Sequence, residues 1–136
     1  MRLILSIPIL ALVIAAYNVF AFQGGMLDAE SLLASWVLPS ETEVFFKIGD
    51  VFIVAGLIGL FFEILKAARP GAGTIIDHML PAAVFIVALV EFLLVPACGT
   101  VAFFLLMVMA FIDVAGGFTI SILGARRDCT VSRDGL

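Results

Sequence analysis

The stretch VAFFLLMVMAFIDVAGGFTISILG, residues 101–124, decides how this chain is read. Its only charge is Asp113. A helix needs about 20 predominantly apolar residues to cross the roughly 30 Å hydrocarbon core of a bilayer, and this stretch supplies them. Working outward, three more apolar runs of comparable length cover residues 3–22, 44–66 and 75–97. Hydrophobic residues make up 64% of the chain and charged residues only 13%, about half the charge of an ordinary soluble domain. The expected fold is an all-α membrane protein, with four transmembrane helices in an antiparallel up-down bundle forming a single domain, 1–136. The net charge of −4 argues against nucleic acid and against a polybasic lipid-binding role.

Between the first two runs, Ala29, Leu32, Leu33, Trp36 and Val37 recur at the spacing of one apolar helix face. Asp28 is placed to cap the start and Pro39 follows the end, so a short interfacial helix over 28–38 is expected, with Trp36 as its headgroup-level anchor. Ser40-Glu41-Thr42-Glu43 has the form of a capping box and is read as opening the second long helix. Pro70-Gly71-Ala72-Gly73 ends that helix, and Thr74 with Asp77 opens the third. Pro81 falls in the third helix's early turns. Pro96-Ala97-Cys98-Gly99-Thr100 is a tight connection that makes helices three and four antiparallel neighbours.

The first run, with Arg2 before it and Val19-Phe20-Ala21 near its end, has features of a secretory signal. Its length, long for a signal core, makes it a retained span in this reading. Orientation follows from the cations. Arg2, Lys66, Arg69, Arg126, Arg127 and Arg133 fall at the N-terminus, the second connection and the tail 125–136, leaving Lys47 alone on the other side. The positive-inside rule then puts both termini in the cytoplasm. Short loops and the absence of glycosylation sequons suit a bacterial inner membrane. Cys98 and Cys129 fall on opposite sides in this topology, so no bond between them is expected.

Three acids lie within the apolar runs: Glu63, Glu91 and Asp113. A charge there costs about 2.5–3.5 kcal/mol on insertion scales, which makes each a candidate polar site by default. With no deep Lys or Arg to neutralise them, they suit a graded path for protons or cations. The plainer reading is packing: Glu63 pairing with Lys66 on the next turn, or Glu63 and Asp113 as protonated acids bonding a neighbouring hydroxyl or carbonyl. In helix two Gly49, Gly56 and Gly59 share a stripe with Glu63, and in helix four Gly117 and Gly124 share one with Asp113. Such stripes mark close helix packing, so these acids should face protein and not lipid. The first helix has no acid, only Tyr17 and Asn18. His78, the sole histidine, stands beside Asp77 as a candidate proton or pH-sensing group, or as an interfacial cap. Lys47 and Asp50, one turn apart, are read as a local ion pair.

Motifs for phosphate loops, nucleophile elbows, zinc sites and catalytic triads are missing, so neither an enzyme, a cofactor nor a metal is expected. Two functions remain. One is an accessory or scaffolding subunit of a larger membrane complex or homo-oligomer, whose partners are the lipid bilayer and other membrane subunits or copies of itself. The other is a small oligomeric proton- or cation-linked transporter or channel that uses the intramembrane acids.

Overall fold

A computed structural model of the chain describes residues 7–23, 29–68 and 75–133, the side chains of 75–78 and 125–133 excepted. The order of elements is helix α1 (Ile9–Phe22), strands β1 (Leu32–Val37) and β2 (Glu43–Lys47), then helices α2 (Ile48–Ala67), α3 (Ile75–Leu94) and α4 (Val101–Arg133). Helix α2 and the Val101–Gly124 part of α4 are each long and apolar enough to cross a membrane. The described apolar parts of the other two, Ile9–Phe22 and Met79–Leu94, are shorter.

Pro8 starts α1: it takes the N-cap position with extended backbone, and its missing N–H costs nothing there. A 3-10 turn, Pro96–Cys98, closes the connection from α3, and Thr100 begins the next helix by accepting the Phe103 amide on its Oγ1 at 3.2 Å. Pro81 is accommodated inside α3. At the other end of the chain, α4 continues through the segment expected to be a polar tail, as far as Arg133.

Helix α4 is the hub. Its buried residues Ala102 and Leu106 meet α2 at Gly49 and Gly56 and Phe103 packs on Tyr17 of α1, while ring pairs Phe85–Phe111 at 5.4 Å and Phe92–Phe104 at 5.5 Å join it to α3. Helices α2 and α4 meet where α2 has no side chain. A Cβ on Gly49 would stand 2.8 Å from the Ala102 Cβ, and one on Gly56 would stand 2.6 Å from Leu106 Cδ2. The chain runs up and down through the four helices, so the hairpin and the Pro96–Cys98 turn share one end.

That hairpin replaces the interfacial helix expected over 28–38. Strands β1 and β2 pair antiparallel, Trp36 opposite Val44 and Val37 opposite Glu43. Leu38 donates its N–H to the Thr42 carbonyl at 2.9 Å, and its own carbonyl accepts the Glu41 N–H at 2.9 Å. With Glu41 at φ 62°, this is a three-residue hairpin loop whose last residue is left-handed. Residues 40–43 therefore form the turn and the first residue of β2, not a helix cap. The reason is physical: Pro39 pre-sets the first corner of a turn, and short polar residues serve turns as readily as caps. Val44, Phe45 and Phe46 favour extended backbone. Helix α2 begins only at Ile48, its start secured by the Asp50 Oδ2 accepting the Lys47 amide at 2.8 Å.

Candidate functional site

The stripe Gly56, Gly59, Glu63 on α2 builds the first polar site. Helix positions four apart lie on one face, so the bare Gly59 admits the start of α1 next to Glu63. A Cβ on Gly59 would lie 3.2 Å from Ile9 Cγ2 and 3.7 Å from the Leu10 nitrogen. The Glu63 Oε1 consequently accepts the Leu10 N–H at 3.1 Å, and its carboxyl also meets the Ile9 amide. These are orphan donors of α1, whose N-cap is a proline without a hydrogen-bonding side chain. Glu63 thus caps a neighbouring helix.

Asp113 reaches the same place from α4 and hydrogen-bonds the Glu63 carboxyl. Both are buried, Glu63 6% and Asp113 8% exposed. A hydrogen bond between two carboxyls needs a proton on one of them. No ion pair joins Glu63 to Lys66 among the described residues, and the side chain turns inward instead.

Glu91 stands apart, near the opposite end. Its Oε2 accepts the Asn18 Nδ2–H at 2.8 Å, and Asn18 Oδ1 in turn lies 3.5 Å from the fully buried Cys98 Sγ. Burial, and secondarily the Glu91 carboxylate, push the Cys98 thiol above its ordinary range. The neighbouring Tyr17 hydroxyl bonds Thr100 Oγ1, while its ring packs against Phe52 and Phe103, each at 5.2 Å. This second cluster ties the end of α1 to α3 and to the turn before α4. Its partners Tyr17, Asn18 and Thr100 were not among the expected site residues. Two adjacent polar residues in an otherwise apolar first helix were the signal.

The three acids therefore do not form one ladder: Glu63 and Asp113 meet, while Glu91 belongs to another network. The His78 and Cys129 side chains lie outside the described residues. Gly117 is half-buried, whereas a Cβ on Gly124 would meet nothing within 4 Å. Lys47 pairs its ammonium with Glu30 across the base of the hairpin, and this carboxylate holds it above its ordinary range. Asp50 instead binds the Lys47 backbone. Trp36 stands 73% exposed on β1. Among the described residues, no group of three or more His, Cys, Asp or Glu side chains gathers as a metal site would require.

Comparison with protein-family models, with curated proteins and with solved structures finds no match to this chain.

Proposed function

We propose that this chain is a small polytopic protein of a bacterial inner membrane, with four spans, cytoplasmic termini and an outer-face hairpin. In this reading it serves as an accessory or scaffolding subunit of a larger complex or homo-oligomer. The observation that carries the reading is the hairpin. Leu33, Val37 and Phe45 are exposed along with Trp36 and Phe46, although these residues lie outside the long helices. Lipid accounts for apolar helix faces, but not for a two-stranded ribbon with apolar side chains on both faces. An isolated ribbon of this kind is only marginally stable in water. A protein surface that covers it supplies the missing burial. The test is gentle extraction of the tagged chain from native membranes followed by mass spectrometry. Recovery in a defined assembly of fixed stoichiometry supports the reading, and recovery as a monomer overturns it.

The Glu63–Asp113 contact favours a second reading, a proton- or cation-linked transporter or channel. A shared proton between buried carboxyls is the chemistry such a carrier uses. Reconstituted vesicles bearing Asp113→Asn should then lose proton or cation flux. Equal flux in the variant and the parent chain would remove this reading.

A further inference from the structure

The two edges of the hairpin differ. On β1 the register slips between Leu32 and Ala34, and such an irregularity spoils an edge for further pairing. On β2 the pairing runs unbroken from Glu43 to Phe46. The Leu38–Thr42 bond fixes the alternation of the antiparallel ladder, so Glu43, Phe45 and Lys47 turn their backbone groups away from β1. Only the Lys47 N–H is already satisfied, by Asp50. Glu43, Phe45 and Lys47 are exposed, and among the described residues Glu43 has no ion-pair partner.

The sequence of this edge, Glu43-Val44-Phe45-Phe46-Lys47, is complementary to itself when reversed. Set antiparallel about Phe45, it places Glu43 opposite Lys47 at both ends and Val44 opposite Phe46, with Phe45 facing Phe45. Opposite-charge and aromatic cross-strand pairs stabilise such ladders. We infer that the β2 edge is a homodimer interface: two copies of this chain join their hairpins, β2 against β2, into one four-stranded antiparallel sheet. The inference rests on the subunit reading and names the partner as a second copy. The contact is isologous, as a two-fold dimer requires. Copies inserted the same way share a two-fold axis along the membrane normal, so the strands lie along the membrane plane.

Disulfide trapping of the full chain in native membranes tests this, in a Cys98→Ala, Cys129→Ser background. Phe45→Cys should cross-link to itself under mild oxidation. Residues opposite each other in a hydrogen-bonded pair have Cα atoms about 5.5 Å apart, within disulfide range. Trp36→Cys, on the outer strand β1, should not cross-link. Glu43→Lys sets like charges opposite each other twice and should weaken dimerisation about tenfold, measured by dilution in liposomes. Adding Lys47→Glu together with Glu30→Lys, which keeps the ion pair at the base of the hairpin, should restore it. A dimer that persists with neither the Phe45 cross-link nor the charge-swap pattern overturns the inference. So does a single copy held at fixed stoichiometry by a different protein, although that outcome leaves the subunit reading standing. A lone monomer overturns both.

Discussion

The Glu63 side chain of α2 accepts the backbone N–H of Leu10, 53 residues earlier in the chain, and so closes the start of α1 from a neighbouring helix. The same carboxyl bonds Asp113 of α4, which makes this the point where three helices are joined by polar groups. Removing it leaves the Leu10 amide and Asp113 without their partner in a buried place. Glu63→Ala should therefore lower stability by about 2–3 kcal/mol, the cost of stranding buried hydrogen-bonding groups. Glu63→Gln keeps an acceptor for Leu10 and gains a donor for Asp113, and should lose no more than about 1 kcal/mol. Reversible unfolding in mixed micelles measures both. Equal losses would show that the cap carries no weight of its own.

The glycines separate by what surrounds them. At Gly49 a methyl would meet the Ala102 Cβ and the Ala29 carbonyl oxygen, neither of which can swing aside. At Gly56 it would meet the Leu106 Cδ2 and Met109 Sδ, the far ends of flexible side chains. Gly49→Ala should thus cost about 2–3 kcal/mol and Gly56→Ala less, in keeping with the cost of overpacking. Gly116 has open space, and Gly116→Ala should stabilise by up to about 1 kcal/mol through helix propensity. The same unfolding assay ranks the three, and a reversed order would refute the packing of α2 on α4.

Asn18 holds Glu91 with its amide nitrogen and stands beside Cys98 with its oxygen. The thiolate is the reactive form of cysteine, and both burial and the raised thiol pKa deplete it at neutral pH. Alkylation of Cys98 by iodoacetamide should be at least about tenfold slower in the folded chain than after unfolding, and should accelerate as pH rises. Asn18→Leu strips Glu91 of its donor, costs about 1.5–3 kcal/mol, and should speed the labelling. Peptide-level mass spectrometry resolves Cys98 from Cys129. Rapid labelling of Cys98 in the folded parent chain would contradict its burial.

Glu41 occupies the left-handed corner of the hairpin at φ 62°. A non-glycine residue pays roughly 1–2 kcal/mol there, and glycine's extra backbone entropy gives back about 0.5–1 kcal/mol of that gain. The net expectation for Glu41→Gly is a hairpin more stable by about 0.5–1 kcal/mol. Hydrogen exchange reads it locally: the Leu38 amide and the amide at position 41 should exchange several-fold more slowly in the variant. Faster exchange would mean the turn has another geometry.

The long apolar helices were legible in the sequence because hydrophobic length and helix breakers are local properties. Residues 101–124 announce a helix by composition alone, and Pro96 and Gly99 are local breakers that separate it from the helix before. The segment 29–47 was not legible in this way. Leu32, Leu33, Trp36 and Val37 satisfy a helical spacing, yet the same residues line both faces of a strand, so periodicity does not choose between them. The choice fell to a pairing with β2 that no local pattern contains.

The sites divide along the same line. Sequence by itself determined that Glu63, Glu91 and Asp113 lie in apolar helices, and that Gly49, Gly56 and Gly59 give α2 a bare stripe beside Glu63. Only the tertiary structure decided that Glu63 and Asp113 share one site while Glu91 bonds Asn18. Depth along a helix follows from counting residues. The partner a side chain meets depends on how each helix is rotated and how far it slides past its neighbours, and packing against the other helices sets both.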